Sequence, residues 1–119
     1  MKKVVFLLLL TMWGRLALAD CSDKRETVEL KQCFQQEYEK ADKELNNVYQ
    51  QLSNKLDPDG KEKLKKVQRA WLQFRDLEAQ FSADRNRGGT FGGVVQLGTL
   101  GDLTNQRIKG LKDQLDLYK

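Results

Sequence analysis

The stretch Gln68-Arg69-Ala70-Trp71-Leu72-Gln73-Phe74-Arg75-Asp76 sets an amide, an indole and an Arg-Asp pair among apolar residues. Two kinds of chemistry use such groups. A carboxylate can serve in an acid-base pair and a guanidinium can bind an anionic ligand, whereas the same groups between packed helices fix register through hydrogen bonds. The sequence contains no histidine. That removes Ser-His and Cys-His nucleophile systems, histidine metal sites and the commonest general base. Carboxylates are plentiful, but no two are singled out, and Asp and Glu on helix faces ordinarily serve solvation. We expect no enzyme: no catalytic residue, no metal site and no cofactor.

Spacing favours the architectural use. Gln68, Trp71 and Arg75 lie three and four residues apart, so they share one side of a helix. Asn46 and Tyr49 take a similar position on the helix before, and Thr104 and Arg107 on the helix after. Together with Asp76 these eight residues are expected to form a partly buried polar network that aligns three helices. Trp71 is expected to anchor the core, with its indole N–H seeking an acceptor.

A second candidate is the polar, glycine-rich run from Ser82 to Gly93, SADRNRGGTFGG. Glycines expose backbone N–H groups, and Arg85 or Arg87 would add charge, as in a phosphate cradle. A P-loop, however, needs a preceding strand and a Gly-Lys-Ser/Thr ending, and both are missing. The run reads instead as a connection between helices. Arg85, Arg87, Gly88, Gly89 and Thr90 are the candidate partner-binding residues, because connections on a rigid scaffold are where contacts are presented.

Three periodic segments must position these groups. Leu30, Phe34, Tyr38, Ala41, Leu45, Val48, Leu52 and Leu56 recur at helical spacing and predict a helix over roughly 25–56. Asp57-Pro58-Asp59-Gly60 ends it and caps the next. There Leu64, Val67, Trp71, Phe74, Glu78 and Phe81 continue the rhythm, and the short connection makes the two helices an antiparallel hairpin. Leu97, Leu100, Leu103, Ile108, Leu111, Leu115 and Tyr118 form a third stripe, weakened by Gly98, Gly101 and Gly110 at about 1 kcal/mol each. The fold expected is all-α, a helical hairpin with a third helix packed on it. Heptad-like spacing also suits a self-associating coiled coil, but three helices in one chain can satisfy one another, so a monomer is expected.

Residues 1–19 read as a signal peptide. Lys2 and Lys3 precede the apolar run Val4–Met12, and Ala17-Leu18-Ala19 has the small-residue pattern of a signal peptidase site, which predicts cleavage before Asp20. The run is short for a membrane span, and Asp20 sits where a lipoprotein signal needs a small residue before Cys21. We therefore expect a periplasmic or secreted protein with no stable membrane anchor and a single domain over 20–119. Loss of Lys2, Lys3 and Arg15 leaves eighteen basic residues against seventeen acidic. Near-neutral charge gives little support to nucleic-acid binding. Two cysteines in an exported chain suggest one disulfide, Cys21 to Cys33.

The segments ADKELNNVYQQL (41–52), QRAWLQFRDLE (68–78), Gly88-Gly89-Thr90 and LTNQR (103–107) resemble, in order, the successive motifs of the LprI-type lysozyme inhibitor family. The resemblance covers most of residues 20–119, and Cys21 with Cys33 resembles the family's first cysteine pair. A second pair is common in that family. Here Ala79 stands at one of its places, and Gly98 or Thr99 near the other. The resemblance implies a small exported helical domain that inhibits a lysozyme-like peptidoglycan hydrolase by direct protein binding. The alternative is an envelope adaptor or assembly protein that binds another protein without inhibiting it.

Overall fold

The computed structural model describes residues 21–119. The expected signal peptide, with its cleavage point, lies outside them. A short 3-10 helix, Cys21–Asp23, leads into α1 (Thr27–Ser53), α2 (Pro58–Ala83), a second 3-10 turn at Asp84–Asn86 and α3 (Gly92–Asp116). The fold is all-α, with no strand among the described residues. Cys21 and Cys33 form a disulfide, their Cα atoms 5.7 Å apart. It ties the entering chain to the second turn of α1.

Local chemistry explains the helix ends. Asp57 takes extended backbone angles, and its side chain accepts a hydrogen bond from the Gly60 N–H at 2.7 Å. Pro58, whose fixed φ suits a first helical turn, follows it, and Asp59 there complements the helix dipole. In the connection between α2 and α3, Gly88 has φ +79°, which glycine adopts without a Cβ penalty. Only residues 87–91 remain outside helical structure. The connection is thus shorter than the glycine-rich composition suggests, because Val94, buried in the first turn of α3, extends that helix back to Gly92.

Contacts between helices give their directions. Lys31 faces Gly93, Phe34 faces Gly98 and Tyr38 faces Gly101, so α1 and α3 run parallel. Gln68 meets Arg107 and Arg75 meets Thr104, so α2 runs antiparallel to both. α3 packs most extensively on α1 and next on α2, while α1 and α2 approach each other least. At Gly101 the α1 backbone comes near enough that a Cβ would sit 3.9 Å from the Tyr38 Cα, an ordinary contact distance.

The apolar core joins Ala41, Leu45, Val48 and Leu52 of α1 to Leu64 of α2 and to Ile108 and Leu111 of α3. Tyr49, Leu56, Trp71 and Leu115 pack around it. α2 departs from the sequence expectation. Its inward face carries Leu64, Gln68, Arg75 and Ala79, whereas Val67, Phe74 and Phe81, read as core positions, are exposed. The physical reason is that α2 contributes polar bridging groups rather than an apolar stripe to the bundle. Its strongest apolar series is left unpartnered.

Candidate functional site

Arg75 reaches from α2 toward both α1 and α3. It is buried, and its guanidinium donates from Nε to Asp76 Oδ1 at 3.0 Å and from Nη1 to Asp42 Oδ1 at 3.3 Å. A longer contact, 3.5 Å, reaches Thr104 Oγ1 on α3. The same guanidinium stacks against the rings of Tyr38 and Trp71, 5.3 and 5.4 Å from their centroids. One cation therefore touches all three helices. A planar guanidinium can bond at its edge and stack on its face at the same time, which an ammonium cannot do.

Arg107 forms a second node. Its Nε donates to Gln68 Oε1 at 3.0 Å, and its guanidinium carbon lies 6.0 Å from the Trp71 ring. Arg107 Nη2 is buried without a hydrogen-bond partner. Burial also pushes the Arg107 pKa below its usual value. Trp71 sits between the two guanidiniums and joins the nodes.

Of the eight residues read from the sequence as a network, the structure brings together Gln68, Trp71, Arg75, Asp76, Thr104 and Arg107. Tyr49 packs beside them against the apolar core. Asn46 lies exposed on α1, one turn beyond Asp42. Sequence reasoning missed Tyr38 and Asp42. Their signal was present: Tyr38 and Asp42 are four residues apart on one side of α1, at the level that an antiparallel second helix brings opposite Arg75.

Electrostatics at this cluster favour neutral Tyr38. Burial raises its phenol pKa, Arg75 opposes the rise, and Asp42 and Asp76 add to it. Thr104 also donates to the Leu100 carbonyl at 2.7 Å, so its hydroxyl is held whether or not Arg75 is present. Apart from Arg107 Nη2, the hydrogen bonds of the two guanidiniums run within and between the three helices.

The connection from α2 to α3 has the opposite character. Arg85, Arg87, Gly88, Gly89 and Thr90 are all exposed. Arg87 folds onto Asp84, donating from Nε and Nη2 at 3.0, 2.7 and 2.8 Å. The Arg87 side chain nevertheless stays 80% exposed. Arg85 makes no ion pair among the described residues, and the Gly89 N–H donates to the Asn86 carbonyl at 3.0 Å. The turn presents two cations on a backbone fixed at both ends by helices. Among the described residues, no helix is long and apolar enough to cross a membrane.

Comparison with known proteins adds one family. The family model described as lysozyme inhibitor LprI matches residues 19–111. An uncharacterised protein of Rhizobium meliloti (strain 1021) is 30% identical, the match covering 82% of this chain and 79% of the relative. No solved structure matches.

Proposed function

The chain belongs to the LprI lysozyme inhibitor family, and from that premise we propose that it is an exported inhibitor of a lysozyme-like peptidoglycan hydrolase, acting by direct binding and not as an enzyme. The observation that carries this reading is the family match, which spans the disulfide, α1, α2 and all but the last turn of α3. In this reading residues 1–19 are removed on export, residues 20–119 form one domain, and the protein works in the periplasm or outside the cell with no stable anchor.

The mechanism assigns different work to the two clusters. A lysozyme cleft binds sugar and holds two carboxyl groups. Arg85 and Arg87 would enter that cleft and pair with a carboxylate, with Gly88, Gly89 and Thr90 letting the turn approach closely. Arg75 and Arg107 hold the helices that carry the turn.

The test is lysozyme turnover on cell-wall substrate with the disulfide-bonded protein in excess. Inhibition is expected, and Arg85→Ala combined with Arg87→Ala should weaken it while lowering the melting temperature by no more than about 4–8 °C, since exposed pairs contribute roughly 0–1 kcal/mol. Unchanged lysozyme turnover at excess protein would sink the proposal. Full inhibition by the double variant would move the contact away from this turn.

A further inference from the structure

Val67, Ala70, Phe74, Leu77 and Phe81 follow one another along α2 at spacings of three, four, three and four. That is the a/d rhythm of a coiled-coil seam. Val67, Phe74, Leu77 and Phe81 are each more than half exposed, on the side of α2 away from Leu64, Gln68, Arg75 and Ala79, which face the bundle. Together they present on the order of 400 Å² of apolar surface, near the upper size of patches on monomers. The seam is roughly 20 Å long at the helical rise per residue.

Charge along the same helix identifies what covers it. Residues 58–70 carry five basic and two acidic side chains, while residues 71–84 carry three acidic side chains and one basic, the buried Arg75. A parallel copy would set like charge against like. An antiparallel copy sets the Lys61, Lys63, Lys65 and Lys66 end against the Glu78 and Asp84 end, twice over, because a two-fold axis repeats every contact.

We propose that α2 pairs antiparallel with α2 of a second copy of this chain, with the two-fold axis beside Phe74. This register puts Val67 level with Phe81 of the second copy and Leu64 level with its Asp84, so that Lys63 and Lys65 flank that carboxylate. Two seams bury about 800 Å² of apolar surface, and the flanking Lys63, Lys66 and Gln73 stems bring the total toward the roughly 1,200 Å² at the lower bound of specific interfaces. The monomer expected from the sequence assumed that α2 spends its apolar stripe internally, but only Leu64 and Trp71 of that stripe pack on the core, while Val67, Phe74 and Phe81 are exposed. The turn at Arg85–Thr90 stays outside the seam, one at each end of the dimer.

Sedimentation of the full chain, as the cell processes it, tests this up to about 500 μM, the range in which a small specific interface self-associates. The mass should approach twice that of one chain. Phe74→Glu places two carboxylates at the axis and should weaken association at least about a hundredfold, with the circular dichroism melt unchanged because Phe74 supports no core contact. Lys63→Glu with Lys66→Glu, and separately Glu78→Lys with Asp84→Lys, should each give monomers that pair when mixed. A monomeric wild type overturns the proposal, and so does a dimer that survives Phe74→Glu or two charge variants that fail to pair when mixed. If Phe74→Glu instead abolishes lysozyme inhibition by a protein that is monomeric throughout, the seam serves that enzyme and not a second copy.

Discussion

Replacing Arg75 by alanine separates packing from charge in the three-helix contact. The side chain is buried, so truncation leaves a cavity between α1, α2 and α3 and removes two stacking contacts, with Tyr38 and Trp71. Burial-type truncations cost roughly 2–5 kcal/mol, and deleting one partner of a fully buried ion pair costs about 3–5 kcal/mol. The second figure does not apply here, because the Asp42 and Asp76 side chains are 41% and 55% exposed. Water can hydrate both carboxylates once the guanidinium has gone, and Thr104 keeps its bond to Leu100. The expected loss for Arg75→Ala is therefore about 2–3 kcal/mol, at the low end of the cavity range. At about 4–8 °C per kcal/mol for a domain of this size, the melting temperature should fall by roughly 10–20 °C. Arg75→Met retains the stem volume and should lose about 1 kcal/mol. Asp42→Asn and Asp76→Asn should each cost under about 1 kcal/mol, as half-exposed pairs do. Urea and thermal unfolding followed by circular dichroism measure all four variants. The reasoning is refuted if Arg75→Met unfolds as readily as Arg75→Ala while the two Asn variants together match them, since charge pairing and not packing would then carry the energy.

Tyr38 gives a pH signature. Its raised pKa means that the fold favours the neutral phenol, so the stability it contributes is present below the usual phenol pKa of about 10 and is lost as pH rises through the folded value. Phenolate absorbance should show a tyrosine titrating above the ordinary range, and Tyr38→Phe should flatten the alkaline decline in melting temperature. Replacing Cys21 and Cys33 together by alanine reopens a loop of sequence separation 12 and should cost about 3 kcal/mol in the chain-entropy model. Melts of the wild type with and without reductant should differ by the same amount. At Gly101, alanine would meet Tyr38 backbone only at ordinary contact distance. Gly101→Ala should therefore be neutral or stabilising by up to about 1 kcal/mol from helix propensity, whereas Gly101→Leu should pry α1 from α3 and lower the melting temperature markedly.

Element existence was legible because the punctuation is local chemistry. Asp57-Pro58 with Gly60 is a start signal whose cap forms in the structure, and the three apolar stripes identify the three helices. The glycine-rich run was harder, since composition cannot reveal that Val94 is buried and draws α3 back to Gly92. Within the polar cluster, Arg75 with Thr104 and Gln68 with Arg107 are legible once α2 and α3 are antiparallel. The register that makes those pairs also brings Ala79 level with Gly98 and Thr99, the positions where the family resemblance places a second cysteine pair. Asp42 was overlooked because a charged residue at an otherwise apolar level of α1 looks like solvation until a guanidinium is placed opposite.

α2 shows most directly what periodicity leaves open. A three-four apolar rhythm establishes that a helix has one sticky side, but it is silent about which partner that side meets. Here Leu64, Gln68, Arg75 and Ala79 face the bundle, and Arg75 reaches Asp42 across the pair of helices that approach each other least. Because polar side chains span that gap, Val67, Phe74, Leu77 and Phe81 are not required inside. The burial of an arginine and the exposure of the phenylalanines are thus one structural choice: an inward face that fixes register through directional bonds frees the apolar face for an association outside the chain.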